Sequence, residues 1–260
     1  RPNVTVDAAV ILLMSGNAAL LRGSSSAEAS NKVLIDVMRS ALAKTKISPD
    51  VIQLVPSDDR ATVQALLTAR GKVDLVIPRG SAALIRMVVD EATVPTIETG
   101  AGVCHVYVDA SADLAKALPI VMNSKTHRPS VCNAAETVLV HKSVAEKFLP
   151  TLLTSLHSAG VLLHCDEAAE LIAKKLSIDV TRATAQNWGT EYGVLEMNVG
   201  VVDSLDSAID HIATFGTQHT EAIVTEDKES ARRFIAMSDC AAVMVNASTR
   251  FTDGEQMGFG

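Results

Sequence analysis

Cys132 lies in the run Lys125-Thr-His-Arg-Pro-Ser-Val-Cys-Asn-Ala-Ala-Glu-Thr137, which brings together a thiol, three basic side chains and a proline. A thiol attacks an acyl carbon as its thiolate, and neighbouring positive charge favours that form. Lys125, His127 and Arg128 would supply the charge. Pro129 ends any helix before the loop, and the small residues after Cys132 let its backbone approach a ligand closely. The same residue types also suit an inert, half-buried thiol, the usual state of a free cysteine.

The remaining cysteines, Cys104, Cys165 and Cys240, are scattered with no CxxC pair. That spacing favours reduced thiols in a cytoplasmic protein over a disulfide frame or a zinc site. Cys104-His105 is the one pair that suggests a metal, but neighbours on a strand point to opposite faces, so no metal site is expected. A length of 260 residues allows one large or two ordinary domains, and 48% apolar residues can build their cores. The formal charge of −7 argues against nucleic-acid partners, which need a basic face. No apolar run approaches the roughly 20 residues of a membrane span, so no membrane partner is expected. Val6–Ser15 reads as a buried helix, and no cleavable signal pattern is expected at Arg1-Pro2-Asn3.

Short apolar strands alternate with amphipathic helices throughout. Strands are expected at 18–21, 51–55, 74–77 and 94–97, with helices at 27–43, from about Asp59, and around Leu84–Val89. After the turn Thr99-Gly-Ala-Gly102 the rhythm restarts. Strands are expected at 105–109, 138–141, 161–165, 194–202, 221–225 and 241–245. Helices are expected at 112–122, 144–157, 167–176, 205–215 and 228–237, and the polar stretch 181–189 reads as an exposed connection. Continuous Val/Ile/Leu strands in a βα rhythm indicate an α/β fold with doubly wound parallel sheets. The rhythm alone names no function.

The segment Ser130-Val-Cys-Asn-Ala-Ala-Glu-Thr137 resembles the catalytic-cysteine segment of the gamma-glutamyl phosphate reductases, members of the aldehyde dehydrogenase superfamily. Arg1-Pro-Asn-Val-Thr5, Ser15-Gly-Asn17, Ile77-Pro-Arg-Gly-Ser81, Cys104-His-Val-Tyr-Val-Asp109, Gly216-Thr-Gln-His-Thr220 and Asn246-Ala-Ser-Thr-Arg-Phe-Thr-Asp-Gly254 resemble that family in the same order. The resemblance implies an aldehyde-dehydrogenase-like α/β fold. A Rossmann-like cofactor domain would occupy residues 1–100, a catalytic domain 101–247, and 248–260 would begin a C-terminal return segment. It also implies sequence beyond both ends of this chain, which would then be an excerpt.

The resemblance further implies that Cys132 is the nucleophile and that Asn3 donates its amide to the oxyanion; a turn asparagine capping a helix is the alternative. The turn Leu21-Arg-Gly-Ser-Ser25 falls where the family holds the adenosine ribose. Arg22, Gly23, Ser24 and Ser25 offer a cation, hydroxyls and space, which favours NADP(H) over NAD. Gly80 and Ser81 open a helix whose N-terminus would take the pyrophosphate. Glu191 would hold the nicotinamide ribose, or be a solvated loop glutamate, and Glu98 is given no catalytic role. Charge matching suggests Lys125, His127 and Arg128 for the leaving phosphate and Arg250 as a bidentate clamp for L-glutamyl 5-phosphate. The implied activity is NADPH-dependent reduction of that acyl phosphate to L-glutamate 5-semialdehyde in proline biosynthesis, by a homo-oligomer functionally coupled to glutamate 5-kinase. Oxidation of another semialdehyde, or an inactive nucleotide- or partner-binding excerpt, remain as alternatives.

Overall fold

The computed structural model describes residues 2–56, 60–80, 82–97 and 100–258, apart from the side chains of Arg60 and Ala82. The chain divides into two units, Arg1–Thr99 and Gly100–Gly260, each with its own parallel sheet. In the first unit, α1 (Pro2–Met14) leads into β1 (Ala19–Leu21), α2 (Glu28–Leu42), β2 (Ile52–Leu54), α3 (Arg60–Leu67) and α4 (Ala82–Glu91). Strands β1 and β2 pair in parallel, and Ala9, Ile35, Leu42 and Ile52 form the small core against them.

Two expectations for this unit change. The apolar run at its start is helical but not buried throughout: Thr5 and Ala9 are buried, whereas Val10, Ile11 and Met14 are exposed. A helix that is apolar all round places some of those groups outward on whichever face lacks a neighbour. The strands expected at 74–77 and 94–97 reduce to one bridge, Val76 to Thr96, held by Val76 N–H to Pro95 O at 2.9 Å and Ile97 N–H to Val76 O at 3.0 Å. Pro78 and Pro95 lack the amides that would extend the ladder.

The second unit is built on a seven-stranded parallel sheet. Its strands are β3 (Cys104–Val108), β4 (Ala135–His141), β5 (Leu162–Cys165), β6 (Thr181–Arg182), β7 (Glu196–Val202), β8 (Thr220–Val224) and β9 (Ala242–Val245), in spatial order β6-β5-β7-β4-β3-β8-β9. Helices α5 (Leu114–Thr126), α6 (Lys142–Ser158) and α7 (Glu167–Lys175) bury Val121, Phe148, Leu152 and Ile172 on one face of the sheet. The stretch 181–189 is more structured than expected, carrying β6 and the short helix α8 (Ala185–Trp188). Thr184 and Asn187 cap each other there in a capping box. Helices α9 (Leu205–Phe215) and α10 (Lys228–Met237) cover the opposite face with Ile209, Ile212 and Phe234, giving the doubly wound arrangement. The final residues join this unit: a 3-10 turn at Thr249–Phe251 buries Ser248 and Thr249 beside α5.

On α9, His211 packs edge-on against Trp188, with centroids 4.9 Å apart, and its Nε2 has no partner among the described residues. Burial, helped by nearby His105, pushes the His211 pKa down to about 4. Unfolded histidine titrates near 6.5, so between about pH 6.5 and 4 the unfolded chain binds more protons and stability falls with falling pH. We expect acidification from pH 7 to pH 4 to cost the wild type about 1–3 kcal/mol more than it costs His211→Phe. Denaturation followed by the fluorescence of Trp188 measures the difference; parallel losses would remove this account of His211.

Candidate active site

The second unit gathers its chemically interesting residues at the amino ends of four adjacent strands. Gly102 precedes β3, Cys132 precedes β4, Gly193 precedes β7 and His219 precedes β8. These strands lie side by side as β7-β4-β3-β8, so segments distant in sequence meet along one edge. Cys132 is the exposed thiol of the four. Burial raises the pKa of Cys104 and Cys240, and pushes that of Cys165 up to about 12. Those thiols are held protonated, leaving Cys132 as the one placed to attack.

The turn bearing Cys132 is fixed from three directions. The Cys104 thiol donates to Cys132 O at 3.3 Å. Gly102 packs so closely that a Cβ there would lie 1.9 Å from that carbonyl oxygen. On the far side, the buried Asn133 amide donates to Thr252 O at 2.8 Å, while its Oδ1 accepts from Arg250 Nη1. Among the described residues no acceptor takes the Cys132 backbone N–H, so it can donate to a developing oxyanion. His219, whose pKa burial lowers, places Nδ1 2.8 Å from Thr220 Oγ1 and 3.9 Å from Cys104 Sγ.

Of the substrate residues expected from charge alone, Lys125 is corrected and Arg250 is partly engaged elsewhere. Lys125 is fully buried at the end of α5, with Nζ 2.5 Å from Glu136 Oε2, so its charge is matched inside the protein and cannot hold a departing phosphate. Burial pushes Lys125 down and Glu136 up to about 7, with their mutual attraction opposing both shifts. Arg250 is half-buried, with Nη1 on Asn133 and Nε buried without a partner among the described residues, so one arm of its fork is spent on holding the Cys132 turn and a bidentate clamp through that arm would cost the Asn133 contact. His127 and Arg128 are exposed at the end of α5 and stay available. We expect Lys125→Met to lower the stability of this unit by about 3–5 kcal/mol, because it strands the Glu136 carboxylate in the interior. Urea denaturation checks this, and a change under 1 kcal/mol would show that Lys125 is not what stabilises the buried carboxylate.

Glu191 is exposed in the loop before β7, close enough to act electrostatically on both Glu136 and His219. In the first unit, Asn3 is exposed within the first turn of α1, inside the helix rather than capping it. Arg22, Ser24 and Ser25 are exposed, and Ser24 caps a 3-10 turn at Ser25–Ala27 that precedes α2. Gly23 packs against Asn31, which accepts from Thr5 Oγ1 at 2.8 Å and so ties the turn to α1. With a cation, hydroxyls and no carboxylate between Arg22 and Ala27, this donor set fits a phosphorylated ribose. A cavity of about 430 Å³ in this unit includes Gly23 in its lining but none of Arg22, Ser24 and Ser25. Gly80 precedes α4; Ser81 and Glu98 lie outside the described residues.

Sequence reasoning gave no role to Gly102, Asn133 or Glu136. Glu136 carried a usable signal, since a carboxylate opening the apolar run Thr137–Val140 must find a buried partner.

The aldehyde dehydrogenase family model matches residues 3–174. A gamma-glutamyl phosphate reductase from Thermobifida fusca is 57% identical over the whole chain, and one from Kineococcus radiotolerans is 55% identical. The chain spans 61% and 60% of their lengths. The crystal structure of gamma-glutamyl phosphate reductase from Thermotoga maritima superposes with a TM-score of 0.94 at 46% identity, over 100% of this chain and 62% of that one. An acetylating aldehyde dehydrogenase from Geobacillus thermoglucosidasius shares the fold, with a TM-score of 0.77 at 18% identity, over 98% of this chain and 64% of that one. A family match over most of the chain, around an exposed cysteine on a turn at the sheet's amino edge, places this protein in the aldehyde dehydrogenase family.

Proposed function

We propose that the chain carries the catalytic machinery of an NADPH-dependent reductase that converts L-glutamyl 5-phosphate to L-glutamate 5-semialdehyde and phosphate, a step of proline biosynthesis. The Cys132 sulfur attacks the acyl carbon, and its backbone N–H together with the Asn3 amide holds the oxyanion. Collapse breaks the carbon–oxygen bond to phosphate, which leaves past His127 and Arg128 and gives a thioester on Cys132. The nicotinamide supplies the hydride when bound. The resulting thiohemiacetal expels the Cys132 thiolate and releases the aldehyde. Covalent attachment divides one difficult exchange into two easier ones. Arg22, Gly23, Ser24, Ser25, Gly80 and Ser81 would hold the adenosine and pyrophosphate end of NADP(H), and Glu191 the nicotinamide ribose.

The observation carrying this reading is the exposed Cys132, whose backbone N–H no described residue accepts, in a chain similar end to end to the reductases. A homo-oligomer in the cytoplasm, coupled to the kinase that makes the labile acyl phosphate, completes the proposal. Oxidation run in reverse tests it: with L-glutamate 5-semialdehyde, NADP reduction should proceed beyond about one equivalent per Cys132 only when phosphate is supplied, and then at least about 100-fold faster than with unrelated aldehydes. Oxidation that ignores phosphate would overturn the acyl-phosphate assignment.

A further inference from the structure

We propose that Glu136 and Lys125 form a positioning pair that ties the Cys132 turn to the loop bearing Glu191. The nucleophile and the segment assigned to the nicotinamide ribose are then held in one fixed relation. Lys125 sits in the last turn of α5 and Glu136 is the second residue of β4, so their contact closes the base of the turn between them. The carboxylate is used twice. Oε2 receives Lys125 Nζ at 2.5 Å, and Oε1 receives the Gly193 N–H at 3.3 Å, a long bond but one made to a carboxylate. Gly193 has φ +64°, a conformation that favours glycine, and nothing crowds the position where a Cβ would stand. The backbone is therefore bent there for its direction rather than for lack of space. Glu191 lies two residues earlier in the same loop, which the Gly193 bond to Glu136 holds at this edge of the sheet, and it acts electrostatically on Glu136 and His219.

Stability alone does not account for the pair. Apolar side chains of similar volume commonly replace buried ion pairs without loss of stability, but they offer no acceptor to Gly193. What only the carboxylate supplies is two acceptors in fixed and different directions.

The meaning given to the two tied loops rests on the thioester reading above, whereas the tie itself can be measured without turnover. In the unsubstituted chain, the Gly193 amide should exchange with solvent at least tenfold more slowly, after correction for intrinsic rates, than the amides of Glu191 and Tyr192. In Lys125→Met/Glu136→Leu, melting should stay within a few degrees of wild type while Gly193 exchange accelerates at least tenfold and the KM for NADP rises at least fivefold. Glu136→Gln, which keeps an acceptor at Oε1, should accelerate exchange less than Glu136→Leu does. Unprotected Gly193 in the wild type overturns the proposal with no variant needed. So does a double variant that keeps wild-type exchange and wild-type KM, which would leave the pair a purely structural role. Altered exchange in a protein that forms no thioester would retain the tie and remove the reading of the enzyme.

Discussion

Cys132→Ser is expected to reduce turnover by at least about 10⁴-fold while leaving the fold and nucleotide affinity intact. A serine hydroxyl remains protonated at neutral pH and needs an adjacent base, and none of the described contacts brings one to position 132. The oxygen would also be a poorer leaving group when the tetrahedral adduct collapses, so both halves of the cycle suffer. Cys104 cannot substitute. It is buried, and the desolvation of its sulfur together with nearby Glu221 keeps it protonated, a donor to the Cys132 carbonyl. Steady-state rates on matched, folded preparations measure the loss, and activity within tenfold of wild type would remove Cys132 from the chemistry.

Gly102→Ala should be the most damaging substitution that touches no reacting atom. Its new Cβ would stand 1.9 Å from Cys132 O and 2.9 Å from Cys132 Cα, and both obstacles are backbone. No side-chain rotation relieves that overlap, so the turn has to retreat by about 1 Å or more, a displacement that can lower a rate by about 100-fold. The Cys104 bond to the same carbonyl would be lost with it. Gly100→Ala is the matched control, because nothing lies within 4 Å of a Cβ at that position. A Gly102→Ala protein with the turnover and melting temperature of Gly100→Ala would mean that the turn is not held where we place it.

Much of the scaffold was legible in the sequence because buried parallel strands and amphipathic helices have plain periodicities. Leu205–Phe215 and Lys228–Met237 are helices at their expected bounds, since Ser204 and Asp227 provide N-caps and the apolar spacing is helical. The strands expected around Val76 and Thr96 failed because flanking prolines remove ladder donors, which a count of apolar residues does not register. At the site, Cys132 stood out by its neighbours, but the directions of those neighbours did not. Lys125 reads as a loop cation beside a thiol, yet α5 extends through Thr126 and turns the lysine inward to Glu136. Arg250 reads as a free cation, whereas the 3-10 turn at Thr249–Phe251 brings its Nη1 onto Asn133. Such pairings join residues 11 and 117 positions apart through tertiary packing, and no local pattern encodes them.

Mass analysis of the protein mixed with L-glutamate 5-semialdehyde and NADP, phosphate withheld, bears most directly on the account. Without phosphate to accept the acyl group, a glutamyl adduct should accumulate on the peptide containing Cys132 and disappear when phosphate is added or when Cys132 is replaced by serine. An enzyme that turns over yet never carries that adduct, or carries it on a different residue, would contradict the account.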